Sequence, residues 1–96
     1  MTDHARVVII GGGAVGCSTL YHLAQMGWTD CLLLEMNELS SGSTWHAAGN
    51  VPNFSTSWNI IKLQRHSSKL YARLGDEVGY PINYHVTGSI RLANNP

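Results

Sequence analysis

Charged residues are scarce in this chain. Its 96 residues include six Lys or Arg and six Asp or Glu, so the formal net charge is zero when His is neutral. A chain without net positive charge does not attract nucleic acid or an anionic membrane surface through its overall field. We therefore expect neither nucleic acid nor a membrane as a partner.

Long apolar runs and an export signal are also missing. The first six residues, MTDHAR, contain an acid, and the apolar run that follows is only four residues long. A signal peptide has a basic start and a longer apolar core, a transit peptide is rich in Arg, and a membrane helix needs about 20 apolar residues. These absences predict a cytoplasmic protein, and we expect a bacterial one.

Metal-binding patterns are absent as well. Cys17 and Cys31 do not form a C-x-x-C pair, and none of the five His residues belongs to an H-x-x-x-H pair. Structural zinc sites need such closely spaced ligands. We therefore expect no metal site, and we expect both cysteines to be small core residues in a reducing compartment.

What the chain does have is a glycine turn between a strand and a helix. The β-branched run Val7–Ile10 predicts a strand that is buried on both faces. Gly11, Gly13 and Gly16 follow in G-x-G-x-x-G spacing. The first glycine permits a tight turn, the second lets a pyrophosphate approach, and the third lets the helix pack on the strand. We expect that helix to begin at about Ala14, with its free N–H groups facing the phosphates.

An acid ends the next predicted strand. Gly27 closes the helix, the strand covers 31–34, and Glu35 lies nineteen residues after Gly16. An acid at this place accepts hydrogen bonds from a ribose 2′-OH and repels a 2′-phosphate, which argues against NADP. The alternative is an ordinary solvated acid at a strand end. The whole pattern predicts a dinucleotide-binding βαβ unit.

This unit is predicted to be incomplete. Parallel strands are normally covered on both faces, and two of them do not make a stable sheet. The fold class is therefore α/β, with a Rossmann-like FAD/NAD(P)-binding βαβ start that is followed by a helix and a β-hairpin. We expect residues 1–96 to be the N-terminal part of a larger domain.

The segment after Glu35 is rich in small hydroxyl residues. One of these hydroxyls is expected to cap a short helix over 44–48, which would offer further N–H groups to the same pyrophosphate. The alternative is a plain connecting loop. A long helix is predicted to begin at Ser57 or Asn59, to run to about Leu74, and to be ended by Gly75 and Gly79. Alternating residues then predict strands over 82–86 and 89–93, with a turn at 87–88.

His46 is the residue with the most specific chemistry. It lies in the small-residue segment 42–49, which should face the cofactor. A neutral imidazole is a nucleophile, and beside a flavin it could attack the 8α-methyl group. The alternative is a loop histidine that is bonded to the backbone.

The run GSTWHAAG at 42–49, placed behind VVIIGGGAVG and LLLEMNELSSGS, resembles the dimethylglycine/sarcosine dehydrogenase family of FAD-dependent amine oxidoreductases. GSIRLA at 88–93 is similar to a segment of the same family. The resemblance implies FAD, held covalently through His46, and leaves Trp45 either on the isoalloxazine ring or in the core. The residues expected to bind the cofactor are Gly11, Gly13, Ala14, Val15, Gly16, Glu35, Met36, Ser43, Thr44, Trp45, His46, Ala47 and Gly49.

The same resemblance implies oxidative N-demethylation of a methylated amino acid or amine, with hydride accepted at flavin N5. It also implies an electron-transfer flavoprotein or oxygen as the electron acceptor, and tetrahydrofolate bound by a later part of the protein. No catalytic residue is expected within 1–96, because the rest of the FAD and substrate domains lies outside it. Two alternatives stay open: an NAD-dependent oxidoreductase fragment, and a non-catalytic nucleotide-binding or regulatory module.

Overall fold

The computed structural model describes residues 3–95. The chain divides into two units, Met1–Gly49 and Asn50–Pro96. The first unit contains strand β1 (Val7–Ile10), helix α1 (Ala14–Gln25) and strand β2 (Cys31–Leu34), and the second contains helix α2 (Trp58–Val78). The predicted βαβ start is therefore confirmed.

The two strands of the first unit lie side by side and parallel. Val7 pairs with Cys31, and the register continues to Ile10 opposite Leu34. Beyond the last pair, the Gly11 N–H donates to the Leu34 carbonyl oxygen at 2.8 Å. This bond ties the start of the glycine turn to the end of β2, so the turn and the residue after β2 leave the sheet at the same edge.

Helix α1 ends in a Schellman motif, as the glycine after it predicted. Gly27 has a φ of +88°, which side chains disfavour and glycine adopts freely. The Trp28 N–H donates to the Leu23 carbonyl at 2.9 Å, and the Gly27 N–H donates to the Ala24 carbonyl at 3.0 Å. These bonds satisfy carbonyls that the helix end would otherwise leave free.

Helix α1 covers one face of the two strands. Burial alternates along β1 and β2, and the half-buried positions include Ile9, which lies against Gly16 of the helix. The residues on the other face are exposed: Val8, Ile10, Leu32 and Leu34. The prediction of strands buried on both faces is therefore wrong for this unit, because a single helix covers a single face.

Burial is low throughout the described part of the chain. No hydrophobic side chain within 3–95 is fully buried, and Gly12 is the only residue there that is buried rather than half-buried or exposed. Cys31 is half-buried and Cys17 is exposed, and both are free thiols. The prediction that both are core residues is therefore wrong: Cys17 Sγ lies 3.4 Å from the Gly12 carbonyl oxygen at the turn, and the half-buried Cys31 belongs to no core within 3–95.

Helix α2 begins directly after Ser57, which is one of the two predicted starts. It ends at Val78, four residues later than the predicted Leu74. Gly75 keeps helical geometry, and the left-handed residue that stops the helix is Gly79, with a φ of +67°. The Tyr80 N–H then donates to the Gly75 carbonyl at 3.1 Å, which is the long bond of a Schellman motif.

The predicted β-hairpin does not form. Residues 80–95 contain no strand, although Gly88 keeps the positive φ (+74°) of a turn. A two-stranded hairpin on its own is marginal in water, and Ile90 and Leu92 are more than 90% exposed, without a surface to pack on. The Tyr84 ring instead stacks on Tyr71 of α2, with 5.9 Å between the ring centroids.

The predicted short helix over 44–48 is also absent. This segment forms a series of turns in which the N–H groups of residues 45, 46 and 47 donate to carbonyls three residues earlier. Bonds of this spacing are those of successive 3₁₀-type turns rather than of an α-helix. Nowhere within 3–95 is a helix both long enough and apolar enough to cross a membrane.

Candidate functional site

A cavity of about 460 Å³ opens at the carboxyl ends of β1 and β2, within the first unit. This is the edge of a parallel sheet where open α/β folds bind ligands. It is built from the glycine turn, the end of β2 and the loop after it. The lining residues are Ile10, Gly11, Gly13, Leu34, Glu35, Met36, Asn37 and 40–44.

Glu35 connects the glycine turn to the loop after β2. Its Oε2 accepts a hydrogen bond from the Gly12 N–H at 2.7 Å, and its Oε1 accepts one from the Asn37 N–H at 2.9 Å. The Gly12 N–H, followed by the Asn37 N–H, lowers the pKa of Glu35 below its ordinary value of 4.5, because both bonds favour the charged carboxylate. The carboxylate is therefore ionised at neutral pH and stands at the cavity wall.

Thr44 reaches the N-terminus of α1 from the far end of the loop. Its Oγ1 accepts a hydrogen bond from the Ala14 N–H at 2.9 Å. A Cβ on Gly13 would lie 3.0 Å from the same oxygen. The second glycine of the turn therefore leaves room above the backbone, and the Thr44 hydroxyl lies in that room.

The other glycines of the turn permit close approaches of a different kind. A Cβ on Gly16 would overlap the Gly11 carbonyl oxygen and would lie 3.4 Å from Cγ2 of Ile9. Gly16 therefore brings α1 against the turn and β1, as its position in the motif predicted. Gly11 itself has a φ of +105°, which is the left-handed geometry that the tight turn requires.

Besides Glu35, Gly12 has two neighbours in the following loop, Leu39 and Ser40, that no motif predicted. The Ser40 N–H donates to its carbonyl at 2.9 Å, and a Cβ on Gly12 would lie 2.5 Å from Cδ2 of Leu39. Ser40 adopts a φ of +63° at this contact, which is uncommon outside glycine. No pattern in the chain marks Ser40 or Leu39. Gly12 itself was a signal, because the G-x-G-x-x-G motif does not require a glycine at this position and the run 11–13 has one.

The structure brings together only part of the predicted cofactor set. Gly11, Gly13, Glu35, Met36, Ser43 and Thr44 line the cavity. Ala14 does not line it, and its N–H donates to the lining residue Thr44. Val15 is 82% exposed, and Gly16 faces the strand rather than the cavity. Residues 45, 46, 47 and 49 do not line it. Trp45 is 77% exposed and is buried by no other residue of the described part of the chain.

His46 is oriented by a backbone carbonyl. Its Nδ1 lies 2.8 Å from the Gly42 carbonyl oxygen. Because a carbonyl only accepts, this contact places the ring proton on Nδ1, so that the neutral ring keeps its lone pair on Nε2. The side chain is exposed. His46 is therefore a backbone-anchored imidazole whose Nε2 carries the nucleophilic lone pair.

No metal centre accompanies the cavity. Within residues 3–95 there is no group of three His, Cys, Asp or Glu side chains that could hold a metal ion. The groups that converge on the cavity are backbone N–H donors, hydroxyls and one carboxylate. These groups suit the phosphates and the ribose of a dinucleotide.

The fold and the cavity therefore define a dinucleotide-binding βαβ unit. A profile of the family described as FAD dependent oxidoreductase matches residues 6–96. The chain belongs to this FAD-dependent oxidoreductase family. The residues present fit FAD, because the cradle at Gly13 and the ionised Glu35 provide what a pyrophosphate and a ribose need.

Three relatives illustrate the range of the similarity. Rat (Rattus norvegicus) mitochondrial dimethylglycine dehydrogenase is 52% identical over 94 residues, which are 98% of this chain and 11% of the relative. Mouse (Mus musculus) mitochondrial pyruvate dehydrogenase phosphatase regulatory subunit is 46% identical over 93% of this chain and 10% of its own length. Human (Homo sapiens) mitochondrial sarcosine dehydrogenase is 40% identical over 95% of this chain and 10% of its own length. The chain thus spans about a tenth of the length of these relatives.

The relatives contradict the expectation of a bacterial cytoplasmic protein. The rat, mouse and human relatives are all mitochondrial proteins of animals. The expectation depended on the absence of a leader in the first six residues. Such an absence does not define a compartment in a chain that spans only about a tenth of its relatives.

Proposed function

We propose that this chain is the N-terminal, FAD-binding part of an oxidoreductase that demethylates an N-methylated amino acid or amine. The observation that carries the proposal is the cavity at the glycine turn, in a chain that is 52% identical to dimethylglycine dehydrogenase over almost its whole length. Bound FAD would supply the redox chemistry, because its flavin N5 would accept a hydride from the methylated amine.

The chain's own residues would bind the ADP half of the cofactor. The N-terminus of α1 offers backbone N–H groups and the positive end of the helix dipole to the pyrophosphate. Glu35 offers its carboxylate to the ribose hydroxyls, and its lowered pKa keeps it an acceptor at neutral pH. Gly13 adds no side chain of its own to the phosphate approach, where the Thr44 hydroxyl is the nearest side-chain group.

His46 would anchor the flavin. The bond from Nδ1 to the Gly42 carbonyl supports this role, because it fixes the tautomer and leaves Nε2 as the nucleophilic nitrogen. We therefore propose Nε2 as the attachment atom. Trp45 is the next residue and is exposed, so its ring is free to pack beside the isoalloxazine.

The remaining steps belong to parts of the protein beyond these residues. We propose that the amine is bound there, that an electron-transfer flavoprotein or oxygen takes the electrons, and that tetrahydrofolate receives the one-carbon unit. No residue of 1–96 is assigned to catalysis.

The test uses the full-length protein that carries this sequence. It is denatured in acid and run on a gel, and flavin fluorescence is measured in the polypeptide band for the wild type and for His46→Ala. We expect fluorescence in the wild-type band and none in the variant band. His66→Ala is the matched control, since His66 lies on α2 in the other unit, and its band should stay fluorescent.

Each other outcome has a definite meaning. If flavin copurifies and acid releases all of it, the covalent attachment at His46 is wrong and the site binds FAD non-covalently. Flavin that stays in the His46→Ala band would place the anchor on another residue. A protein that binds NAD and no flavin would overturn the proposal as a whole.

A second candidate function has a specific observation in its favour. One relative is named as a regulatory subunit of a phosphatase and is 46% identical over 93% of the chain. A protein of that kind would bind the dinucleotide without turnover. Steady-state reduction of the flavin by dimethylglycine or sarcosine distinguishes the two candidates, because the regulatory one predicts no reduction by either amine.

A further inference from the structure

Helix α1 has no N-terminal cap of its own. Its N-cap residue is Gly13, which has no side chain, and its first turn contains no acid. The oxygen that takes the first N–H of the helix comes from Thr44, thirty residues away, and accepts from Ala14 at 2.9 Å. A hydroxyl cap of this kind stabilises a helix end by about 1 kcal/mol relative to a side chain without oxygen.

The same hydroxyl fills the room that the second glycine leaves. A Cβ on Gly13 would lie 3.0 Å from Thr44 Oγ1. In a G-x-G-x-x-G turn this is the room through which the backbone approaches a pyrophosphate. The bond to Ala14 and the distance to Gly13 describe the same position, which puts Thr44 Oγ1 where a phosphate oxygen would have to lie.

A single N–H group does not give a full hydrogen bond to two acceptors at once. An anion at the start of α1 takes its hydrogen bonds from the first-turn N–H groups, and the Ala14 N–H is already taken by Thr44. On the basis of the proposed FAD function, we propose that Thr44 is a positioning residue that exchanges with the pyrophosphate. It caps α1 while the cofactor is absent and yields the Ala14 N–H when the cofactor binds.

Under this proposal the Thr44 hydroxyl has two opposite effects on the cofactor site. The hydroxyl keeps the glycine turn and the start of α1 in their bound form before FAD arrives. It also competes with the phosphate for one donor, so it lowers the affinity for the ADP moiety. A residue whose only role was to hold the phosphate would raise that affinity.

Thr44→Val tests the proposal, because Val has the shape of Thr without the oxygen, and Thr44→Ser restores the oxygen. The full-length protein is prepared without flavin in a His46→Ala background, so that no covalent bond forms. Hydrogen exchange of the peptide that covers the first turn of α1 is then measured without ligand. We expect exchange about fivefold faster in Thr44→Val than in the Thr44 protein, and little change in Thr44→Ser.

The second measurement is calorimetric binding of ADP, with adenosine as the matched ligand that has no phosphate. We expect Thr44→Val to bind ADP more tightly, by up to about fivefold, because the competing acceptor is gone. Adenosine affinity should be the same in all three proteins. Weaker ADP binding by Thr44→Val, or an equal shift for adenosine, would overturn the exchange.

The two proposals fail in different ways. If the protein with Thr44 binds neither ADP nor FAD, the proposed function is wrong and the exchange is wrong with it. If that protein binds ADP and the Thr44→Val variant binds it less well, only the exchange is wrong. Unchanged hydrogen exchange in Thr44→Val would show that Thr44 is not a cap, whatever ADP does.

Discussion

Glu35 has two tasks at the level of single residues. As the acid after β2 it is the expected partner of the ribose, and in the structure it also holds Gly12 and Asn37 by their N–H groups. The second task does not depend on a cofactor. Glu35 therefore contributes to the shape of the glycine turn before any ligand binds, and its protonation should affect stability as well as affinity.

The first prediction follows from the pKa of Glu35. Because folding lowers this pKa below 4.5, the carboxylate stabilises the folded protein above that pH, and the stabilisation is lost as the pH falls through the folded pKa. In the full-length protein that carries this sequence, the urea midpoint of the wild type should therefore exceed that of Glu35→Gln at pH 7, and the difference should shrink below about pH 4.5.

Glu38→Gln is the matched control for this measurement. Glu38 lies in the same loop, three residues later, and is exposed. Its variant should follow the wild-type pH profile closely, since a surface substitution away from such contacts changes stability by about 0.5 kcal/mol or less. A difference between wild type and Glu35→Gln that stays constant down to pH 3 would contradict the assignment.

The residues of the site differ in how far the sequence reveals them. Gly11, Gly13, Gly16 and Glu35 follow a motif, so their spacing alone predicts their places. The contacts of Ser40 and Thr44 depend instead on the path of a ten-residue loop that contains no regular structure. A left-handed serine at position 40 has no signal in the chain, because the conformation is imposed by the contact with Gly12.

At the level of elements, the stability of the βαβ unit depends on how closely α1 approaches β1. That approach is possible because Gly16 has no side chain against the Gly11 carbonyl and the Ile9 side chain. Strands β1 and β2 and helix α1 were predictable, since each is a short local pattern, with Gly11 after β1, Gly27 after α1 and Glu35 after β2.

The second prediction is that Gly16→Ala separates α1 from the turn. Its methyl group would overlap a backbone carbonyl, which cannot move aside as a flexible side chain can. In the full-length protein we expect a loss of about 3 kcal/mol in the free energy of unfolding, measured by urea titration, together with loss of FAD binding.

Gly42→Ala is the matched control, because nothing lies within 4 Å of the position its Cβ would take. It should change stability by about 0.5 kcal/mol or less. Equal effects of the two alanines would show that loss of glycine flexibility, rather than the close approach, is responsible.

The third prediction concerns the end of α2. Gly79 has a φ of +67° and the N–H of the next residue closes back onto Gly75. Gly79→Ala should destabilise this end by about 1 kcal/mol, seen as faster hydrogen exchange at residues 75–80. Gly79→Asn should recover most of the loss, because Asn tolerates the left-handed region better than Ala.

The sequence did not predict correctly where α2 ends, nor that the segment 82–93 forms no strand. Gly75 looked like a helix end, but a helix tolerates one glycine and stops where the chain turns left-handed. The strands expected over 82–93 had the right alternation, and alternation becomes a strand only against a neighbour to pair with.

For the whole molecule, the main feature is the lack of a core within the described residues. No hydrophobic side chain there is fully buried, and one face of the two strands is exposed through Val8, Ile10, Leu32 and Leu34. Burial of apolar side chains is the dominant favourable term in folding. Residues 3–95 by themselves therefore gain little folding free energy from this term.

The fourth prediction is that a peptide of residues 1–96 alone does not unfold cooperatively. Thermal melting followed by circular dichroism should show a broad, gradual loss of helix, and the dye ANS should bind to the exposed apolar face. A sigmoidal melt with a dispersed methyl NMR spectrum would contradict this prediction and would show that the chain is an autonomous domain.

The parallel register of β1 and β2 has a consequence for how this sequence can vary between species. The position of Glu35 relative to Gly12 is fixed by the pairing of β1 with β2. It does not depend on the length of the segment 26–30, which joins α1 to β2. An insertion in that connection should be tolerated, because loop length changes the entropy of closure only slowly. A single residue inserted within β2 would turn every following side chain to the opposite face, and Glu35 would then point away from the turn that it holds. Insertions and deletions among natural variants should therefore cluster in 26–30 and be absent from 31–34.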